Sequence, residues 1–298
     1  MWICPACQSP LLLTERTYKC DAGHTYDMAK EGYVNLLLAQ HKNSKESGDN
    51  KQMVNARRSF LEQGHYQPLA SKMAELLATY LASNSSVSTE PNAPASLFDA
   101  GCGEGYYLQR ILTTLNADSS SIKVVGAGLD ISKVAVQKAA KKYPESAFCV
   151  ASSFAIPVPD ASQQGVIQVF APSSEQEVLR ILADKGLWLQ VNPAPEHLTE
   201  LKACVYAAPA EHKAPPAVPD GFELAHEETL TFSFDLATPD MRMNLLMMTP
   251  YYWSTSVENT QRIKELLTAC QCAFFVALVT QSRIKGTKKP AFAGLGNY

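Results

Sequence analysis

Long hydrophobic runs are missing from this 298-residue chain. The longest, Cys272 to Val279, spans eight residues, far short of the roughly 20 that a membrane helix requires. A secretory leader is not legible either, because Cys4 and Cys7 stand where its apolar core would lie. Without a leader, eight cysteines in a chain of this length do not suggest a secreted disulfide framework. A soluble, cytoplasmic protein is therefore expected, with no membrane partner. A large charge of either sign is also lacking: the net charge is −3, so the molecule as a whole is not a basic nucleic-acid binder. No internal repeat is visible.

What is present fits a folded globular protein. Hydrophobic residues make up 46% and charged residues 18%, and the length suits one large α/β domain plus a small module. Charge is unevenly spread. Residues 1–60 hold eight Lys and Arg against six Asp and Glu, while the rest of the chain is acidic. His41 to Arg58 contains Lys42, Lys45, Lys51, Arg57 and Arg58, and the last eighteen residues contain Arg283, Lys285, Lys288 and Lys289 with no acid. Such stretches are suited to phosphate contact, although each alone also fits ordinary solvated surface.

Apolar residues recur at helical spacing from Gln52 to Leu81, with a break at Gly64 and Pro68, which predicts two helices. Ala82 to Ser96 is rich in Ser, Asn and Pro and reads as a linker. Strand-like and helix-like segments then alternate. Strands are expected at Leu97–Ala100, Ile122–Asp130, Ala147–Val150, Val166–Phe170 and Leu187–Val191, with helices at Glu104–Asn116, Ser132–Lys142 and Ser174–Ala183. That alternation predicts a parallel, doubly wound α/β sheet. Ala207 to Asp220 reads as a proline-rich exposed loop, and Phe222–Phe234 and Cys272–Thr280 as two further strands. The expected domains are 1–36, a zinc-binding ribbon; 37–82, a strap with connecting helices; and 83–298, the catalytic domain.

The ribbon assignment rests on Cys4-x2-Cys7, twelve intervening residues, and Cys20-x3-His24. Four thiolate and imidazole ligands complete a tetrahedral zinc shell and leave no open position, so the metal is expected to be structural. A module this small has too little core to fold alone, and metal binding would contribute its folding free energy. Pro10 and the run Leu11-Leu-Leu13 suggest a hairpin between the knuckles rather than a groove-reading helix, with Tyr18 and Tyr26 on a small ribbon.

The second motif is Asp99-Ala-Gly101-Cys-Gly103-Glu104-Gly105, at the end of one strand and the start of a helix. Glycines there admit close backbone approach by a ligand. A dinucleotide fingerprint would need a third glycine where Tyr106 stands; the G-x-G-x-G form is instead usual in class I methyltransferases. Asp130, roughly 25 residues further on, ends the next strand, where an acid can accept from both ribose hydroxyls of an adenosine. A mere helix cap ahead of Ser132 is the bland alternative.

Over nearly its whole length the chain resembles the RlmA-type 23S rRNA (guanine-N1)-methyltransferases. The segments that carry this, beyond the four zinc ligands, are Asp27 to Leu36, Gly48-Asp49, Ala56-Arg-Arg58, Gly64 to Leu69, Gly101 to Tyr107, Asp130 to Lys133, Ala151 to Ser153 and Met248 to Pro250. The resemblance implies a class I methyltransferase Rossmann-like doubly wound sheet with an N-terminal zinc ribbon that helps bind an RNA hairpin, and a homodimer. It implies S-adenosylmethionine (SAM) as cofactor, with Tyr66 and His197 joining Asp99, Gly101, Gly103, Glu104, Gly105, Tyr106 and Asp130 in holding it. Taken from the residues alone, His197 is a surface histidine at a helix start. The implied reaction is methyl transfer to N1 of a 23S rRNA hairpin guanine, with a 745-type position expected ahead of a 748-type one. Lys42, Lys45, Arg57 and Arg58 are the expected RNA contacts.

Guanine N1 carries a proton that must leave, yet no residue is singled out in the sequence as its acceptor. The loop Phe170-Ala-Pro-Ser173 follows the fourth strand, where this fold lines its target pocket; Phe170 is a candidate to stack on a base and Ser173 to bond its edge, with plain core as the alternative for Phe170. Pyrimidine carbon methylation would call for a cysteine in that loop, and Asn192-Pro-Ala-Pro195 follows the fifth strand rather than the fourth, unlike an exocyclic-amine signature. Ring-nitrogen methylation is left by elimination. Two rivals remain: a small-molecule methyltransferase with a purely structural zinc module, and a non-catalytic RNA binder that has lost its cofactor.

Overall fold

The computed structural model describes residues 1–39, 48–83, 94–117, 123–207, 212 and 217–282. Lys42 and Lys45 and the basic C-terminal stretch lie outside the described residues. Among the described residues no helix is long and apolar enough to cross a membrane.

The first 39 residues form a three-stranded antiparallel sheet of β1 (Leu12–Thr14), β2 (Thr17–Lys19) and β3 (Thr25–Asp27). Tyr18 faces Tyr26 in its register, so the expected ribbon between the knuckles is present. The ribbon does not stand apart. Trp2 is buried edge-on against Phe98 of the main domain at 6.5 Å, and the Ile3 amide donates to the Pro157 carbonyl at 3.0 Å. Two residues that follow, β4 (Val34–Asn35), pair in parallel with β7 (Ala147–Val150) and become the edge of the large sheet. The 36/37 boundary read from the sequence thus falls just after a strand that belongs to the main sheet.

Helices α1 (Lys51–Glu62) and α2 (Gln67–Ser83) flank the break at Gly64. Asn50 caps α1 by accepting from the Met53 amide at 3.0 Å, which satisfies one donor left free at a helix start. The chain then alternates β5 (Ala95–Ala100), α3 (Tyr106–Leu115), β6 (Val124–Asp130), α4 (Lys133–Lys142), β7, β8 (Gln163–Val169), α5 (Glu175–Ile181) and β9 (Leu182–Pro193). After α6 (Thr199–Val205), β10 (Phe222–Asp235) and β11 (Ala269–Gln281) form a long antiparallel pair, with α7 (Pro239–Met247) and α8 (Val257–Leu266) between them.

The eight-stranded sheet has the order β10-β11-β9-β8-β5-β6-β7-β4. Its six central and β4-side strands run parallel, and β11 joins β9 antiparallel. Strands β5, β6 and β7 are buried almost throughout, as expected of a sheet covered on both faces. The chain winds outward from β5 in both directions, so the carboxyl ends of β5 and β8 diverge and open a crevice. This is the doubly wound sheet with an N-terminal ribbon that the alternation of segments predicts. Cys102, Cys149, Cys270 and Cys272 are buried and unbridged, consistent with small core residues.

A candidate cofactor cleft and zinc site

Cys4, Cys7, Cys20 and His24 converge, with their ligand atoms all within 4.8 Å of one another. Cys7 and Cys20 Sγ lie 3.6 Å apart, and His24 Nδ1 is 3.5 Å from Cys4 Sγ and 3.4 Å from Cys20 Sγ. Tetrahedral zinc with bonds of about 2.3 Å to sulfur and 2.0–2.1 Å to nitrogen sets ligand edges of about 3.5–3.8 Å, so the set fits zinc. Two tight turns make the convergence: the Cys4 amide donates to Ser9 O and the Cys20 amide to His24 O, with Gly23 at φ +86° in the second turn. Hydrogen bonds from the Ser9 amide and hydroxyl hold Cys7 down at about 7, which favours the thiolate a metal needs. The Tyr26 hydroxyl reaches Cys4 Sγ at 3.4 Å, an outer partner for a ligating sulfur.

The crevice at the sheet's carboxyl edge encloses about 800 Å³. Its floor is the glycine loop. Gly101 has φ +106° and Gly105 φ +82°, and the latter starts α3 with no side-chain cap, so its first amides stay free. Asp130 ends β6 beside them. Its Oδ2 accepts from the Gly103 amide at 2.9 Å and its Oδ1 from the Ser132 amide at 2.7 Å. Each oxygen keeps a lone pair for a ligand. Asp130 is therefore also a brace for the glycine loop, and the helix cap is Ser132, which accepts from the Ala135 amide.

Of the cleft lining, Glu104 Oε2, Tyr106 OH and His197 Nδ1 are buried without a hydrogen-bond partner; so is Asp99 Oδ1, near the end of β5, although Asp99 is not itself part of the lining. Orphaned buried donors and acceptors are costly unless a ligand completes them. Burial pushes Glu104 up to about 7 and Asp99 well above the usual carboxylate range, with Asp130 adding to the rise at Asp99. Burial, with smaller effects from His212 and Lys202, lowers His197 to about 3, so its ring is neutral at physiological pH. His197 is a buried wall of the cleft rather than a surface residue. Tyr66 is buried among Phe60, Phe232, Phe234 and Phe274, accepts from Cys272 Sγ at 3.3 Å, and lines the same cleft. A glycine cradle, an acid at the β6 end and unpaired polar atoms around an enclosed space fit a nucleoside cofactor.

The loop after β8 forms the outer wall. Phe170 is 43% exposed and has φ +56°, an uncommon conformation for a bulky residue, so it is a displayed side chain and not core. Its ring lies 5.3 Å from that of Phe274 and 6.1 Å from that of His197. Ser173 Oγ donates to Gln168 Oε1 at 3.0 Å. Across the opening, Tyr251 OH and His212 Nε2 are hydrogen-bonded at 3.0 Å. Neither Tyr251 nor His212 is legible as a cleft residue in sequence. His212 sits in the proline-rich loop, and Tyr251 follows Met248–Pro250 without any motif that assigns it a role.

Arg57 and Arg58 face acids rather than open solvent. Arg57 pairs with Asp49 and donates to Met248 O at 3.3 Å; Arg58 bonds Glu62 at 2.9 Å and stands 3.7 Å from Glu104. The Asp49 carbonyl accepts from Ser132 Oγ at 2.7 Å, so Gly48-Asp49 is laid across the end of β6. A Cβ on Gly48 would meet Ile131 at 2.8 Å. These arginines tie the strap and α1 to the glycine loop.

Residues 2–45 match the family model described as "RlmA, N-terminal", a zinc ribbon. A 23S rRNA (guanine(748)-N1)-methyltransferase of Streptomyces fradiae is 36% identical over 66% of this chain, and the match spans 65% of that relative's length, just under two thirds. A Micromonospora griseorubida protein, provisionally named a 23S rRNA (guanine-N1)-methyltransferase, is 31% identical over 85% of this chain and 86% of its own. Among solved structures, one provisionally assigned as a sarcosine dimethylglycine methyltransferase from Galdieria sulphuraria covers 71% of this chain and 86% of its own at 16% identity and a TM-score of 0.42.

Proposed function

The chain belongs to the family of 23S rRNA (guanine-N1)-methyltransferases with an RlmA-type zinc ribbon, and from that membership we propose that it methylates N1 of a guanine in a 23S rRNA hairpin. It is a SAM-dependent methyltransferase that also carries a structural zinc. The observation that supports the substrate reading best is the pairing of an intact cofactor cleft with a displayed aromatic, Phe170, at its mouth.

When bound, the cofactor supplies an already activated methyl group, so the protein's task is alignment. Asp130 would take the ribose hydroxyls, with its carboxylate pinned by the Gly103 and Ser132 amides. Gly101, Gly103 and Gly105 would admit the cofactor to the backbone, and Asp99, Glu104, Tyr106, Tyr66 and His197 would close round it. A neutral His197 offers a hydrogen bond without adding a second positive charge beside a sulfonium. Phe170 would stack on a guanine turned out of the hairpin, and Ser173, oriented by Gln168, would meet its edge. Burial of the reacting N1 in this cleft would exclude competing water.

A homodimer and a cytoplasmic location belong to the same reading. The small-molecule alternative leaves the family relationship without a purpose. The test is incubation with labelled SAM and 23S rRNA lacking the modification, followed by primer extension. One strong stop at a hairpin guanine is expected, and its position distinguishes a 745-type from a 748-type target. Cofactor binding with no product on free or particle-bound rRNA would overturn the proposal.

A further inference from the structure

A second depression, of about 650 Å³, lies beside the cofactor cleft and shares α1 with it. Met53, Arg57 and Leu61 face the cleft, whereas Lys51 and Arg58, seven residues apart and so on one helix face, line the depression. Lys138, Lys141 and Lys142 of α4 form its second wall, and Lys30, where the chain leaves the zinc ribbon, forms its third. Six cations meet there against one lining carboxylate, Glu31, in a protein whose net charge is −3.

The cations fall into two groups. Arg58 and Lys142 are held by Glu62, and Lys142 also lies 5.2 Å from the Tyr143 ring centroid, so both are fixed parts of the wall. Lys51, Lys138 and Lys141 make no ion pair within 4.0 Å among the described residues. Lys30 has a side chain 90% exposed and stands 3.9 Å from Glu31, whose Oε1 is already taken by Gln137 Nε2 at 2.9 Å. Lys141 and Lys142 do complement the negative end of α4. That effect does not explain why Lys30 and Lys51, from two other segments, converge on the same place.

We propose that this groove is the track for the phosphodiester backbone of the RNA beside the target nucleotide. The inference rests on the rRNA-methylating reading above. Helix α1, about 10–12 Å across with its side chains, lines the cleft on one face and the groove on another. A strand crossing α1 therefore sets one base in the cleft and its neighbouring phosphates over unneutralised lysines. The hydrogen bond between Gln137 and Glu31 locks the ribbon's exit to α4, so the zinc module fixes one wall of the track.

The test uses the full-length protein with Lys138→Gln and Lys141→Gln combined, since Gln preserves helix propensity. Lys123→Gln with Lys185→Gln, remote from both depressions, controls for net charge. Binding of a 23S rRNA transcript is measured across salt concentrations, alongside cofactor affinity and methyl transfer. Losing two phosphate contacts lowers the slope of log K against log salt by about 1.4–1.8. RNA affinity should fall roughly tenfold or more at physiological salt, with cofactor affinity intact and the control double unchanged. A wild-type slope in the groove variant, or equal losses in the two doubles, overturns the track. Product formation is read separately from binding: a wild-type protein that binds RNA through this groove yet transfers no methyl group refutes the rRNA methylation reading and leaves the track standing.

Discussion

Replacing Gly101 with alanine tests whether the glycine loop and the target-base wall are one mechanical unit. Gly101 has φ +106°, beyond the left-handed region that other residues tolerate, and an added Cβ would lie 2.3 Å from Ala171 Cβ. Two separable penalties follow. Backbone strain at such an angle costs on the order of 1–3 kcal/mol. Overpacking against Ala171 costs about 1–3 kcal/mol more, because neither partner is the far end of a flexible side chain. The sum, roughly 2–6 kcal/mol, shifts the melting temperature by about 2–4 °C per kcal/mol in a chain of this size. If the loops yield instead of unfolding, the steric part appears as cofactor affinity lowered by about 5–150-fold. The assay is a double-mutant cycle, Gly101→Ala with and without Ala171→Gly, read by calorimetric cofactor binding and thermal melting. The second change relieves the contact and leaves the strain, so the pair should recover about half the loss and show a coupling of 1–3 kcal/mol. Additive losses, or a single variant within 1 °C and twofold of wild type, would refute the idea that Gly101 is glycine because Ala171 leaves it no room.

Three further outcomes are expected. Zinc removal by a chelator should unfold the ribbon and release Trp2 from its contact with Phe98; a red-shifted tryptophan emission checks this, and an unmoved spectrum contradicts it. Burial holds Glu104 at about 7 against an ordinary 4.5, so the folded protein keeps a proton that the unfolded chain has lost. Its stabilising contribution is complete below about 4.5 and is lost as pH rises through about 7, at most on the order of 3 kcal/mol. Glu104→Gln should therefore flatten the urea midpoint between pH 5 and 8, and parallel wild-type and variant curves would disprove that assignment. Phe170→Ala should lower kcat/KM for rRNA by about 5–150-fold, the worth of one stacked base, with Phe170→Tyr active and cofactor affinity retained; an equal loss of cofactor affinity would make Phe170 a cofactor contact instead.

Much of this was legible because short apolar runs ending in Gly or Asp mark parallel strands, and knuckle spacings mark metal turns. The alternation from β5 to β9 and the four zinc ligands therefore sit where the residues pointed. What was not legible is long-range. Strand β9 starts at Leu182, five residues before the expected Leu187, because Asp184-Lys-Gly186 reads as a polar break yet forms a bulge: Gln163 pairs with Leu182 and Gly165 with Leu187. Two residues, Val34 and Asn35, are too few to show a strand period. Arg57 and Arg58 look like free cations in a charge run because their partners Asp49, Glu62 and Glu104 are assembled only by folding. His212 meets Tyr251 across 39 residues, a pairing no local pattern announces.

The pairing of β4 with β7 has a consequence for synthesis. Asn35 leaves the ribosome 115 residues before its partner Val150, which at about 5–20 residues per second is a wait of roughly 6–23 s. The ribbon needs no such delay, since its strands and metal ligands all lie within the first 27 residues. Zinc capture can thus precede everything else, leaving a finished module with Trp2 uncovered until Phe98 emerges to receive it. Limited zinc during translation would therefore act before the catalytic domain exists, as a shortfall in the yield of folded enzyme and not as a defect in enzyme already made.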